Sequence, residues 1–382
     1  MEKPAKLKNN NIGWIDFLRV IACFLVVISH SCDPFIAQFD ADRGTFLTGA
    51  FMGSLMRSCV PLFVMMTGVL LLPVRNMGMG QFYKKRIGRI IIPLVFWSVV
   101  LPVLFFVYLN YVKPGTTNLM VNVADYTTGN MLSKIYLFIF NFNFDTIPLW
   151  YLYMLIGLYL VMPILSAWLN QASKKDIKLF LYLWGVSLLV PYLTMLAPAL
   201  GYAGNYGSMG IFGVCGWNDY GTFYYFSGFI GYLVLAYYLV KYPPSWSLKR
   251  TLAICIPLFI AGYGATIGGY LLIQEYFPGD YTYLEIPWLF CGINVFMMTF
   301  AVFSIVQKLK IPSSATMSHL ASLSFGIYLC HFVFVQLAYD VFDIHSLPTI
   351  VKILLTAILS YLISAAVSKL LWSFKITRKF IA

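Results

Sequence analysis

Residues 16–30 read DFLRVIACFLVVISH. Ten residues separate Arg19 from His30, and nearly all of them are apolar. Such a run is at home in hydrocarbon, where an ionisable side chain is costly even on lenient insertion scales. Asp16, Arg19 and His30 therefore mark a membrane-type segment that retains polar groups for a reason. On a helix of about 3.6 residues per turn, Arg19 and His30 share one face, roughly 16 Å apart along the axis. Asp16 lies three residues before Arg19 and Asp33 three residues after His30, so each acid can reach its basic neighbour across one turn. The face then carries a charge pair towards one end and a titratable base with its own acid towards the other. The blander reading of the same residues is a snorkelling arginine and a packing histidine.

The whole chain supports the membrane reading. Its 382 residues are 60% hydrophobic and only 10% charged, with a mean hydropathy of +0.79, whereas soluble domains carry about a quarter charged residues. A helix needs about 20 apolar residues to cross a bilayer. That ruler predicts ten spans, at 13–32, 54–73, 87–110, 148–168, 178–199, 222–240, 250–274, 286–307, 322–341 and 348–372. The expectation is an all-α, polytopic helical bundle forming a single integral membrane domain over 1–382, surrounded by membrane lipids. The longest connection, 111–147, turns aromatic in its second half (KIYLFIFNFNFDTIPLW, 134–150), which predicts a short interfacial helix there. The first apolar run lacks a small-residue cleavage site and reads as an anchor rather than a signal peptide.

The net charge of +12 is distributed by topology, which argues against a nucleic-acid partner. Lys3, Lys6, Lys8, Arg75, Lys84, Lys85, Arg86, Arg89, Lys174, Lys175, Lys178, Lys241, Lys249, Arg250, Lys308, Lys310, Lys369, Lys375, Arg378 and Lys379 fall on one side of the predicted spans. Asp33, Asp40, Asp42, Asp125, Asp145, Asp219, Glu275, Asp280, Glu285, Asp340 and Asp343 fall on the other. The positive-inside rule then puts both termini in the cytoplasm. The seven cysteines, Cys23, Cys32, Cys59, Cys215, Cys255, Cys291 and Cys330, include no CxxC pair and no histidine spacing suited to a metal, so no metal is expected.

Three further features bear on chemistry. In YKKRIGRIIIPL (83–94), Lys84, Lys85, Arg86 and Arg89 crowd the start of the third span. Positive-inside charge and lipid headgroups explain such a cluster. A phosphate clamp explains it too, because guanidinium forks grip phosphate bidentately. In LSFGIYLCHFVF (323–334), Tyr328 and His331 lie one turn apart in an apolar helix, as a buried hydrogen-bonding group or as part of a site. Arg57, at the outer end of the second span, either pairs with an acid or lines an acceptor pocket. Walker, HExxH and GxSxG signatures are absent.

Taken in order, WIDFLRVIACFLVVISHS (14–31), VPLFVMMTGVLLL (60–72), KRIGRIIIPL (85–94), LWYLYMLIGLYLVMPIL (149–165) and SFGIYLCHF (324–332) resemble the blocks of the membrane acyltransferase-3 family. Within it the chain is similar to the enterobacterial common antigen O-acetyltransferase type, a likeness to which GTFYYFSGFIGYLV (221–234) adds. The resemblance implies ten core helices in a bacterial inner membrane. It implies transfer of an acyl group, usually acetyl, from cytosolic acyl-CoA to a cell-surface or lipid-linked glycan. By the family's motifs His30 would be the catalytic histidine and Arg19 its partner, while Arg86 and Arg89, flanked by Lys84 and Lys85, would contact the CoA phosphates. Asp33 would hold the His30 tautomer, and Asp16 would hold Arg19. Tyr328, His331, Arg57 and Trp150 are the candidates for acceptor binding or for stabilising the oxyanion. Many members carry a glutamate shortly after the tryptophan of the fourth block; here Trp150 is followed by YLYMLIGLYL. The rival reading is a transporter of a small molecule or glycan precursor, for which intramembrane charges serve equally well. The predicted outer loops are too short for a structural or sensor protein with a sizeable binding domain.

Overall fold

In lipid every backbone polar group must be satisfied within the chain, so long apolar runs fold as helices. The computed structural model describes residues 13–74, 77–201, 211, 220–276, 285–344 and 346–381. Lys3, Lys6, Lys8, Arg75, Cys215, Asp219 and Asp280 lie outside the described residues. The architecture is all-helical, with no strand among the described residues. The helices are α1 (Gly13–Ile36), α2 (Arg43–Leu55), α3 (Cys59–Leu71), α4 (Met79–Val107), α5 (Thr128–Tyr136), α6 (Trp150–Gln171) and α7 (Lys174–Ser187). They continue with α8 (Val190–Leu196), α9 (Ile230–Lys241), α10 (Leu248–Tyr276), α11 (Ile293–Lys308), α12 (Ala315–Phe342) and α13 (Thr349–Ser373).

Among the described residues nine helical segments are long and apolar enough to cross a membrane. The span expected at 222–240 is instead the 12-residue α9, preceded by a 3-10 turn at Gly221–Phe226. Gly228, at φ +80°, breaks the helix between the two. The second span begins earlier than expected, because Asp42 caps α2 by accepting hydrogen bonds from the backbone N–H groups of Gly44 and Thr45. Near Arg57 the same segment is interrupted by a turn between α2 and α3. In the 111–147 connection the short helix is α5, which lies earlier than the aromatic half expected to form it. Thr127 fixes its start by accepting from the N–H of Asn130.

The chain packs as two compact units. The first comprises Met1–Leu18, Arg57–Arg75 and Met162–Ser313. At its centre α9 is buried along most of its length, as a helix apolar all round must be. A Cβ on Gly68 of α3 would stand 2.6 Å from the Leu233 carbonyl oxygen of α9, so the two helices touch backbone to backbone. Trp184 of α7 donates from Nε1 to the Gly228 carbonyl at 2.9 Å and packs edge-on against Tyr232. Asn294 of α11 ties α10 down through the Thr266 hydroxyl (2.8 Å) and accepts from Tyr192 (2.7 Å).

The second unit comprises Arg19–Met56, Asn76–Val161 and Ser314–Ala382. Its main pairing is α12 against α13, where Gly326 admits Ser368. Around Tyr339 of α12 the core gathers Ile28, Cys32 and Phe35 of α1 with Ile353 and Ala357 of α13. The C-terminal turn closes on α4: Phe380 stacks on Phe96 at 4.0 Å, and its carbonyl accepts from Trp97 at 2.9 Å.

The closest approach in the first unit gives a stability prediction. A Cβ on Gly231 would lie 2.1 Å from the Trp184 ring, while one on Gly264 meets nothing within 4 Å. Gly231→Ala should destabilise by about 1–3 kcal/mol through overpacking. Gly264→Ala should be neutral or slightly stabilising. Unfolding midpoints of the detergent-solubilised variants check this, and equal losses from both would contradict it.

Candidate active site

α1 runs unbroken from Gly13 to Ile36 and carries Arg19 and His30 on one face, both half-buried. One turn beyond His30 the helix brings Asp33 back under the ring: His30 Nδ1 lies 2.7 Å from Asp33 Oδ2. A carboxylate accepts and cannot donate, so Nδ1 carries the proton and Nε2 of the neutral ring is left as a base. Both side chains remain about one-fifth exposed, so solvent or a ligand can reach them. At the other end of α1 Asp16 is buried and Arg19 half-buried one turn later. Among the described residues, ion pairs join His30 to Asp33, Lys134 to Asp145 and Lys352 to Asp343.

α12 supplies the second histidine. The His331 ring lies 5.2 Å from that of His30 and is fully buried. Its Nδ1 is 2.7 Å from the Tyr328 carbonyl, which can only accept, so His331 also holds its proton on Nδ1. Its Nε2 is buried with no hydrogen-bond partner. Neutral His331 therefore presents a lone pair, suited to accept from a hydroxyl; donation to an oxyanion would require the protonated ring. The Tyr328 hydroxyl donates to the Pro148 carbonyl, so its proton is already engaged. Trp150 opens α6 beside Tyr151, whose ring packs on Tyr328 at 5.6 Å.

His30 and Asp33 line a small, half-open cleft, together with the amides of Asn118 and Gln336. Phe105, Phe144 and Phe332 form its aromatic wall, with the Phe144 and Phe332 rings 5.2 Å apart and His30 edge-on to Phe332 at 5.3 Å. Behind Phe144, buried Asp145 accepts from Tyr126 and Lys134, both at 2.7 Å. Burial, with Asp145 alongside, pushes the Tyr126 phenol up, so it stays a donor. A stretch of the connection after α4 crosses the C-terminal end of α12. Thr116 and Tyr108 donate to Asp340, Thr117 donates to Asp343, and Asn118 donates to Gln336.

The basic cluster stands at the opposite end of α4 from Phe105. Arg86 and Phe105 are separated by roughly 28 Å of helix, about the thickness of a hydrocarbon core. Lys84, Lys85 and Arg89 are exposed and Arg86 half-buried. The Arg86 Nε is buried without a hydrogen-bond partner, and both arginines lie within electrostatic reach of the buried Tyr159. A phosphate would satisfy that orphaned donor. Arg57 sits in the first unit, where the Trp288 carbonyl accepts from its Nε at 3.1 Å and its Nη2 at 2.6 Å. Its guanidinium also stacks over Trp288 and Phe290.

Within the second unit the fold thus brings His30, Asp33, His331 and Tyr328 together. Sequence reasoning missed Asn118, Gln336, Asp340 and the three cleft phenylalanines. One signal was present: Gln336 and Asp340 are polar residues four apart in an otherwise apolar helix that already carried His331. Removing the cation from behind the aromatic wall tests its anchoring. Lys134→Met should destabilise by about 1–3 kcal/mol, because Asp145 loses a charged donor while staying buried. Lys134→Arg should recover most of that loss in thermal unfolding.

The family described as "Acyltransferase domain" matches residues 12–369. No curated protein and no solved structure matches the chain. The family match spans α1 through most of α13 and includes every cleft residue named above, so the chain belongs to the acyltransferase-3 family and is a multi-pass membrane acyltransferase.

Proposed function

We propose that the protein moves an acetyl or similar acyl group from cytosolic acyl-CoA to a hydroxyl of a cell-surface or lipid-linked glycan at the outer face of a bacterial inner membrane. The observation that carries this reading is the His30–Asp33 hydrogen bond, which lines a small cleft and lies beside a second, buried imidazole. Asp33 holds the proton of His30 on Nδ1 and leaves Nε2 to take the acceptor hydroxyl's proton as its oxygen attacks the thioester carbonyl. The new C–O ester bond forms, the C–S bond breaks, and His30 returns the proton to the departing thiolate. Arg19, on the His30 face of α1, supports the passage between donor and acceptor ends.

Arg86 and Arg89 hold the donor's phosphates at the cytoplasmic end, with Lys84 and Lys85 adding charge. The unsatisfied Arg86 Nε supports that role. The positive-inside distribution supports cytoplasmic termini and a cleft on the outer side. A span-wide separation between cations and cleft suits a donor that cannot cross the bilayer and an acceptor that stays outside.

His30→Ala should lower transfer from acetyl-CoA by about 10²–10⁴-fold while acetyl-CoA still binds. The Arg86→Ala, Arg89→Ala double variant should weaken acetyl-CoA binding roughly 10- to 100-fold. Calorimetry on the purified, folded protein measures the affinities. Normal affinity in the double variant would return those residues to topology, and no binding by the unaltered protein would favour a transporter.

A further inference from the structure

The polar end of the cleft carries more information than the reaction uses. Asn118 and Gln336 are 4% and 3% exposed and contribute both of its amides. Their orientation is forced from two directions. The Asp340 carboxylate only accepts, so the Gln336 NH₂ group must face it, at 2.9 Å, with its other hydrogen on Thr116 Oγ1 at 2.9 Å. Gln336 Oε1 is then turned to Asn118 Nδ2 at 2.7 Å. From the opposite side the Met120 N–H, which only donates, fixes Asn118 Oδ1 at 3.0 Å. The two constraints agree, and neither amide can flip without losing bonds at both ends.

Counting capacity shows what is left over. Both Gln336 amide hydrogens are used. Asn118 keeps one N–H, and Gln336 Oε1 keeps one lone pair. One donor and one acceptor, held side by side in a cleft with an aromatic wall, complement neighbouring hydroxyls on a ring. Among the described residues lining the cleft none is Lys or Arg, and its carboxylate, Asp33, is bonded to His30. The lining therefore offers nothing to balance an anionic acceptor.

We infer that Asn118 and Gln336 determine acceptor specificity by reading the hydroxyl next to the one that reacts at His30, so that the acceptor is a neutral polyol at its reacting end. This inference rests on the acyl-transfer reading above. A site built to hydrogen-bond a hydroxyl discriminates against an analogue that lacks it, because its own polar groups are then left unpaired.

The test compares two alcohols with acetyl-CoA as donor: trans-cyclohexane-1,2-diol, which carries a neighbouring hydroxyl, and cyclohexanol, which does not. The purified protein should prefer the diol about tenfold in kcat/KM. Asn118→Ala and Gln336→Met should each bring that ratio close to one. The ratio is internal to each sample, so a reduced folded fraction cancels. The preference of the unaltered protein is a second measurement that needs no variant. No preference in the unaltered protein, or an undiminished one in both variants, would overturn the inference while leaving acyl transfer standing. Absence of transfer to either alcohol, and of acetyl-CoA hydrolysis, would overturn the acyl-transfer reading itself and this inference with it.

Discussion

A 2.7 Å hydrogen bond between His30 and Asp33 organises one end of the second unit. In an apolar helix a lone carboxylate or imidazole is expensive, and each group offsets the other's desolvation by sitting one turn away. That pairing also does chemical work: it fixes the tautomer and leaves a basic nitrogen free. Everything packed around it keeps the arrangement in register. Phe332 meets the imidazole edge-on, and Phe105 and Phe144 back it. The Tyr328 carbonyl sets the second histidine in the same tautomer. Both neighbouring imidazoles thus keep the proton on Nδ1 and leave Nε2 as an acceptor.

The connection after α4 is as much a part of the site as the helices. A loop that joins apolar helices must satisfy its own polar groups, and this one does so on the C-terminal end of α12. Thr116, Thr117 and Asn118 spend their hydrogen bonds on Asp340, Asp343 and Gln336, and Lys352 neutralises Asp343 at 2.9 Å. The result is a strap anchored by two carboxylates, whose charge dictates the amide orientations further along. At the other end of α4 the logic reverses: an arginine nitrogen is buried and left unsatisfied, a costly state that a bound anion would relieve.

Much of this was legible in the sequence because it is periodic or local. Apolar run length located the spanning helices, and i, i+3 spacing foretold that Asp33 could reach His30. What escaped depends on partners remote in sequence or on backbone detail. Arg57 was expected to pair with an acid or to line an acceptor pocket, but a carbonyl 231 residues away and two aromatic faces hold it. Tyr328 looked like a free donor, but its proton goes to Pro148, 180 residues away. The shortness of α9 follows from a single glycine, Gly228, in a left-handed conformation that hydropathy does not register. Asn118 lies in a polar connection where only its tertiary partners distinguish it from its neighbours.

The central claim is that donor and acceptor are joined across the bilayer, with the cations on one side and the His30 cleft on the other. The most direct test reconstitutes the protein in sealed vesicles in one orientation, with radiolabelled acetyl-CoA confined to the side bearing the basic residues and a neutral polyol confined to the other. The account predicts labelled ester on the polyol side and free CoA on the donor side, with no label crossing when the polyol is omitted. Ester formed only when both substrates share one compartment would contradict it.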